Sequence, residues 1–200
     1  MPYIIRPNGV RKIAATVFGA AVLVGAAPAI ASAACPSSAA TAALASFGDS
    51  SAYTLLSGAS FESGAPGWTL SNAAVTSGSG AVGGVHSLVI QPNGTATSPS
   101  LCVSSEYPSF RFFAREVGGA NPFSSLNVSL RWTILGMLPV STQVATLKPG
   151  TAWTLTPVLK LAKALPLLAA TDTLTVSVQF QSSLGGTWAI DDVYIDPYSR

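Results

Sequence analysis

The sequence predicts an all-β domain of the sandwich or barrel type. Short runs of β-branched and aromatic residues follow one another, separated by clusters of Gly, Pro, Asn and Ser. Several of these runs alternate between apolar and polar residues, as strands with one buried face do. Strands do not alternate with helical segments, which excludes the pattern of a parallel α/β sheet. Many short strands at close spacing therefore decide the fold class.

Residues 1–33 have the three parts of a secretory signal peptide. Arg6, Arg11 and Lys12 precede an apolar run over residues 13–27, and Ala31-Ser32-Ala33 forms a small-x-small cleavage site. The apolar run is shorter than the roughly 20 residues of a membrane span. We therefore expect cleavage after Ala33 and a secreted protein, with no stable membrane span afterwards.

Cleavage also removes the excess of basic residues. Three of the ten basic residues lie in the signal, so seven remain against eight acidic residues. This balance leaves no basic patch for nucleic acid or an anionic membrane surface. Residues 34–51 are rich in Ala and Ser and form a lead-in, expected to hold a short helical turn or to be poorly ordered. Residues 52–200 have the length of a single domain, and we expect this domain to be monomeric.

The strand faces can be read from the alternation. In the run over residues 109–115, Phe113 lies on the same face as Arg111 and Arg115 and is either exposed or covered by the segment 158–168. That segment reads as a short amphipathic helix or an extended loop, ended by Pro166. Residues 92–94, Pro-Asn-Gly, are predicted to form a turn. The predicted inward positions of two further strands are Leu126, Val128, Leu130 and Trp132, and Leu174, Val176, Val178 and Phe180.

The chain has two cysteines, Cys35 and Cys102. In an oxidising compartment the default for two cysteines is a disulfide, which here joins the mature N-terminus to the middle of the chain. Two unpaired thiols are the alternative. Lipid modification of Cys35 is another, although Ser32 stands where a lipobox has Leu.

Two segments resemble the ends of a known architecture. Near the start stands Gly58-Ala-Ser-Phe-Glu-Ser-Gly64, followed by Trp68, and near the end stands Trp188-Ala-Ile-Asp-Asp-Val-Tyr-Ile195. These motifs resemble the first and last strands of carbohydrate-binding modules with a galactose-binding-like jelly roll. The stretches 98–103, 110–115 and 190–197 also resemble an uncharacterised group of secreted actinobacterial proteins. The resemblance covers about residues 53–198 and implies a jelly-roll β-sandwich that binds extracellular polysaccharide or cell-wall glycan.

The resemblance also implies one structural Ca²⁺. In such a jelly roll the first and last strands lie side by side, so Glu62 meets Asp191 and Asp192 at one rim. Carboxylates brought together repel each other unless a cation neutralises them, and Ca²⁺ prefers oxygen ligands. Glu62 and Asp191 are the first candidates and Asp192 is the reserve, because adjacent side chains of a regular strand face opposite ways. The alternative is that all three are ordinary solvated carboxylates at strand ends.

The sequence contains no recognisable catalytic constellation. His86 is the one histidine, and there is no nucleophile elbow or phosphate-binding glycine loop. A glycosidase needs two carboxylates across a cleft, and nothing in the sequence places Glu106 and Glu116 together. We therefore expect no enzymatic activity. The alternative hypothesis is a hydrolase of a type that these motifs do not identify.

Aromatic residues near turns are the candidates for ligand binding. Trp153 and Tyr107 are placed to be exposed, where a ring can stack on a sugar. Trp132 and Trp188 share strand faces with aliphatic residues and are expected in the core. The sequence thus favours a secreted, noncatalytic glycan-binding domain. The alternative is a protein-interaction or structural surface domain.

Overall fold

The computed structural model of the protein describes residues 39–78, 80–103, 109–118, 121–134, 137–161 and 174–196. These residues belong to the second of two units, Met1–Ala31 and Ser32–Arg200, into which the chain divides. The predicted signal peptide, Cys35 and Tyr107 lie outside the described residues. Within the described ranges, no helix is long and apolar enough to span a membrane.

The described part of the chain is almost entirely β-structure, as predicted. Its helical element is a 3-10 turn over Ala45–Phe47. The strands are β1 (Thr54–Leu55), β2 (Thr69–Ser77), β3 (His86–Thr97), β4 (Leu101–Val103), β5 (Ser109–Val117), β6 (Ser125–Ile134), β7 (Leu138–Leu147), β8 (Thr154–Leu155), β9 (Leu159–Lys160), β10 (Leu174–Ser183) and β11 (Thr187–Asp196).

The strands form one antiparallel sheet that curls into two facing layers. Its order is β7–β6–β10–β3–β11–β5–β8, with β1 beside β11, β2 beside β3, β4 beside β10 and β9 beside β5. Phe112 of β5 and Phe180 of β10 do not lie on paired strands, yet their ring centroids are 4.9 Å apart. The two halves of the sheet therefore face each other across a common core. This is the jelly-roll β-sandwich that the sequence predicts.

Strand β3 links the two layers. Its residues Leu88–Ile90 pair with β11, and its residues Thr95–Thr97 pair with β10. The prediction of a turn at residues 92–94 is wrong, because β3 continues through these residues as one strand. Asn93 has a φ of 61°, and a Cβ at Gly94 would lie 2.3 Å from the carbonyl oxygen of Asn72. The turn-type residues thus allow a strand to pass from one layer to the next.

The alternating strands fill the core at their predicted inward positions. The buried apolar side chains of β6 and β10 are Leu126, Val128, Leu130, Val176, Val178 and Phe180. Each such side chain contributes about 1.5–3 kcal/mol through removal from water. Trp188 is buried with them, as expected, whereas Trp132 is only partly buried against the same core.

The outward face of β5 and β11 is covered by the N-terminal residues 39–53, and we call it the covered face. Phe113 is buried there in a cluster with Leu44, Tyr53 and Tyr194, and the ring of Phe47 meets it edge-on. Backbone hydrogen bonds join Thr41 and Tyr53 in both directions. Phe113 is therefore covered, and its cover includes the predicted lead-in, which holds the 3-10 turn.

Additional interactions fasten this cover to the sheet. The carboxylate of Asp49 accepts a hydrogen bond from the hydroxyl of Tyr53 and forms a 2.8 Å ion pair with Arg111. The first residues of the segment 158–168 include β9, which pairs with β5. No helix is present in residues 158–161, and residues 162–168 lie outside the described residues.

Candidate functional site

The predicted metal ligands on β11 lie at a β-bulge. The pairing of β11 with β5 shifts by one residue between Asp191 and Tyr194, and Asp192 has a φ of 48°. Burial and then the charges of Asp192 and Asp191 raise the pKa of Tyr194, on the covered face, to about 12. Asp191 and Tyr194 thus stand on either side of the bulge that contains Asp192. The alternation assumed from the sequence fails here, because a bulge disrupts it.

Both aspartate side chains are almost completely buried, with 2% of Asp191 and 8% of Asp192 exposed. Asp191 accepts hydrogen bonds from the backbone N–H of Ala81 at 2.7 Å and of Asp192 at 2.9 Å. No hydrogen bond from a described residue reaches the carboxylate of Asp192. Asp192 is therefore a largely buried residue whose carboxylate oxygens keep some contact with solvent, and its burial still disfavours the charged form.

Burial and like charge act together on this pair. Burial, followed by the charges of Asp192 and Glu62, raises the pKa of Asp191 to about 7. Burial and the charge of Glu62 raise the pKa of Asp192 to about 6. The structure therefore brings Glu62 within electrostatic reach of both aspartates. Such a cluster favours either protonation or a bound cation.

Glu62 holds the glycine-rich loop between β2 and β3. Its Oε1 accepts hydrogen bonds from the backbone N–H groups of Val85 and His86, both at 2.9 Å, and its Oε2 lies 3.1 Å from Nδ1 of His86. These hydrogen bonds, with those of His86 foremost, lower the pKa of Glu62. A Cβ at Gly84 would lie 2.3 Å from Oε1, so glycine is what allows the carboxylate to approach. Glu62 and Asp191 thus clamp one loop from two points.

These carboxylates supply only part of a metal's ligand set. Among the described residues, no group of three His, Cys, Asp or Glu side chains is arranged to hold a metal ion. Ca²⁺ commonly completes its six to eight oxygen ligands with backbone carbonyls and water. The carboxylate of Asp192 accepts no hydrogen bond from a described residue and fits such an ion. Each oxygen of Asp191 accepts one hydrogen bond, as does Oε2 of Glu62, so each keeps a second lone pair, whereas Oε1 of Glu62 already accepts two.

The ring of Trp153 is partly occupied by the protein itself. Trp153 is half-buried, and the guanidinium carbon of Arg115 lies 4.8 Å from the centroid of its ring. It packs against the cluster that covers Phe113. One face of the indole is therefore engaged in a cation–π contact instead of being open to a sugar.

Cys102 lies on β4, paired with Thr175 of β10. Its thiol is not free. Because Cys35 lies outside the described residues, the pairing of Cys35 with Cys102 stays a prediction.

The outward face of β3, β10, β6 and β7 carries three cross-strand rows of polar side chains, which we call the amide face. The rows are Ser141–Arg131–Ser177, then Gln143–Ser129–Gln179–Thr97, then Thr146–Asn127–Gln181–Thr95. All these residues are exposed or half-buried, and none is aromatic. The sheet therefore offers side-chain hydrogen-bond donors and acceptors in rows, with strands about 4.8 Å apart.

Hydrogen bonds hold the side chains of the amide face in place. Asn127 donates to Ser183 at 2.9 Å and accepts from the hydroxyl of Thr146 at 3.1 Å. Gln143 donates to that hydroxyl at 2.6 Å, and Gln179 donates to the hydroxyl of Thr97 at 3.3 Å. A ligand that binds here would meet groups that have already lost part of their rotamer freedom.

A pocket of about 250 Å³ lies at one end of the amide face. It opens where the pairing of β10 passes from β6 to β4, and Arg131, Trp132 and Ser177 are among its lining residues. The sequence alternation already placed Arg131 on the outward face. It did not show that Trp132 stays partly exposed, because that depends on where the pairing of neighbouring strands ends.

Solved structures with a similar fold include carbohydrate-binding modules. The CBM22-1 xylan-binding domain of Xyn10C from Paenibacillus barcinonensis superposes with a TM-score of 0.53 at 16% identity, over 70% of this chain and 93% of that one. The CBM22-1-GH10 modules of Clostridium thermocellum xylanase 10B, complexed with xylohexaose, superpose with a TM-score of 0.52 at 13% identity, over 70% of this chain and 28% of that one. The chain has the jelly-roll fold of carbohydrate-binding modules. The fold that the resemblance implied is confirmed.

At these identities the likeness concerns the jelly-roll fold alone. No protein-family model matches the chain, and no curated protein sequence matches it either. What this jelly roll does must therefore be argued from its own residues.

Proposed function

We propose that this protein is a secreted, monomeric, noncatalytic domain that binds glycan through its amide face. The observation that carries the proposal is the set of three polar rows on an exposed sheet. The fold adds support, because the similar modules include a xylan-binding domain and a structure in complex with xylohexaose.

A polysaccharide is a suitable ligand for such a surface. Sugar hydroxyls both donate and accept hydrogen bonds, and so do the amides and hydroxyls of the three rows. The rows also extend across several strands, so an extended chain contacts many weak partners at once. In the absence of a described aromatic platform in the rows, hydrogen bonds carry the binding and ring stacking does not. We therefore expect modest affinity that increases with ligand length.

A pull-down on insoluble polysaccharides and isolated cell wall tests the proposal. We expect the mature domain to bind at least one of them, and soluble fragments of the same glycan to compete. Gln179→Ala should weaken binding, because it removes a central amide of the face. Gln91→Ala is the matched control, since Gln91 is exposed on β3 but belongs to none of the rows. A folded protein that binds no glycan, or equal loss in both variants, contradicts the proposal.

The proposal includes one structural Ca²⁺ at the carboxylate cluster, held by Asp192 together with Asp191 or Glu62. Its support is the carboxylate of Asp192, which accepts no hydrogen bond from a described residue and lies within electrostatic reach of two further carboxylates. The ion would neutralise these charges and hold the bulge and the glycine-rich loop together. At about 100 times the dissociation constant, calcium should stabilise the fold by about 2.7 kcal/mol. Equal melting temperatures with calcium and with chelator exclude the ion.

Export and the disulfide are tested on the same purified protein. We expect mass spectrometry of material secreted by the producing cell to show an N-terminus at Ala34 and a Cys35–Cys102 peptide under non-reducing conditions. An intact N-terminus in the medium, or alkylation of both thiols without reduction, contradicts these two proposals respectively.

A second candidate function is the binding of a protein partner. Phe123 and Leu184 are 77% and 66% exposed, and their turns are joined by the side chain of Asn121, which donates to the Leu184 carbonyl. Exposed apolar side chains on neighbouring turns are a feature of interaction surfaces. A Phe123→Ser variant that keeps full glycan binding but loses attachment to deglycosylated cell surfaces would favour this candidate.

A further inference from the structure

Arg131 is an exposed basic residue whose cross-strand neighbours are both uncharged. Its cross-strand neighbours on the amide face are Ser141 and Ser177, whose side chains are short and uncharged. Arg111, by contrast, pairs with Asp49 at 2.8 Å. The guanidinium of Arg131 is exposed, and its place on the sheet brings no carboxylate opposite it. It is therefore available to a ligand.

The pocket beside Arg131 has the other features of a sugar subsite. Hydroxyl side chains of Thr133, Thr175 and Ser177 line it, and Trp132 and Pro139 contribute apolar surface. None of the described lining residues is acidic. The pocket therefore combines neutral hydrogen-bonding groups, one partly exposed indole and one positive charge.

We propose that this pocket binds an acidic sugar unit of the glycan, with Arg131 pairing to its carboxylate or sulfate group. The inference rests on the proposed function and names its ligand class. A guanidinium presents parallel N–H groups that match a carboxylate or sulfate in a bidentate manner. The hydroxyls meet the sugar hydroxyls, and the apolar surface meets the carbon-bound hydrogens of the ring. A neutral sugar would leave the guanidinium without a partner.

Affinity measurements with matched ligands test this assignment. The first pair of ligands is polygalacturonate and its methyl ester, which differ in the charge of the carboxylate. The second pair is dextran sulfate and dextran, which differ in the charge of the sulfate. Comparison of the two pairs shows which of the two anionic groups is bound. We expect tighter binding to the charged member of at least one pair, weakened by added salt. Arg131→Gln should lower that affinity at least about tenfold, in line with loss of a charge-assisted bidentate contact.

Two further variants keep the test specific. Arg131→Lys retains the charge but not the planar fork, so it should recover only part of the affinity. Lys160→Gln removes an equal charge from an exposed residue on β9 that does not line the pocket, and should leave affinity unchanged. Melting temperatures of all variants should match that of the wild type, because Arg131 is exposed.

The outcomes separate this inference from the proposed function. Equal binding of charged and neutral glycans, or an Arg131→Gln variant with wild-type affinity for the charged ligand, overturns the acidic subsite while glycan binding stands. Failure to bind any glycan, charged or neutral, overturns both.

Discussion

The two outward faces of this sandwich have opposite characters. On the covered face, Phe113 and Tyr194 lie under residues 39–53, and at its edge the buried pair Asp191 and Asp192 meets the glycine-rich loop. On the amide face, Gln143, Gln181 and Arg131 stand exposed with no described segment over them. The first face carries aromatic rings and charged groups that are largely shielded from water, whereas the second carries hydrated polar groups that are neutral apart from Arg131.

This difference indicates where stability and binding reside. Buried aromatic and charged groups have large energetic consequences when altered, because burial removes the solvent that would compensate. Hydrated amides and hydroxyls contribute little to folding, so they are free to be selected for a ligand. We therefore expect changes on the covered face to alter folding and changes on the amide face to alter binding.

The largest expected effect is that of Phe113→Ala. Removal of this buried ring should lower the free energy of unfolding by about 3–5 kcal/mol, since it leaves a cavity under the N-terminal cover. Phe123→Ala is the matched control and should change stability by no more than about 0.5 kcal/mol, because Phe123 is 77% exposed. Urea denaturation measures both, and comparable losses would break the contrast between the faces.

Gly84→Ala should disrupt the clamp on the glycine-rich loop. The new Cβ would displace the carboxylate of Glu62 from the N–H groups of Val85 and His86, so the melting temperature should fall. Gly150→Ala is the control, because a Cβ there meets nothing within 4 Å. In a Glu62→Ala background the Gly84 change should be nearly neutral, and additive losses would show that another contact is responsible.

Asp192→Asn should change the pH dependence of stability in chelator. The pKa of about 6 for Asp192 and about 7 for Asp191 are raised above the ordinary value of 3.8. Their contributions are therefore fully present below pH 3.8 and are lost as the pH rises through 6 and 7. Relative to wild type, the variant should gain stability as the pH rises from about 4 to about 6, because only the wild type must ionise Asp192 in this range, as melting temperatures will show. A constant difference across this range contradicts the burial of an ionisable Asp192.

The smallest expected effect on stability is that of Gln179→Ala. Its side chain makes one 3.3 Å hydrogen bond on the amide face, so unfolding free energy should change by no more than about 0.5 kcal/mol. Glycan affinity is the property expected to fall. Chemical denaturation alongside a binding assay gives both numbers, and a large loss of stability would mean that the amide face also holds the fold together.

Much of the fold could be predicted from local patterns. Alternation along β6 and β10 identifies Leu126, Val128 and Phe180 as core, because a strand's side chains leave it on alternate sides wherever the strand is regular. The meeting of Glu62 and Asp191 came instead from the resemblance of the paired motifs and stays a prediction, although both side chains hold the same glycine-rich loop. The same alternation failed at Asp192, since a bulge is set by pairing with β5 and not by the residues of β11 alone.

By itself, the sequence determined the all-β class and the inward faces of the regular strands. These depend on residue type and period, which the chain carries locally. Only the tertiary structure decided that residues 39–53 cover Phe113, that β3 continues through residues 92–94 and that β3, β10, β6 and β7 align their polar residues in rows. Each of these depends on which distant segments become neighbours. That choice is made by the packing of the whole core and leaves no periodic signal in the sequence.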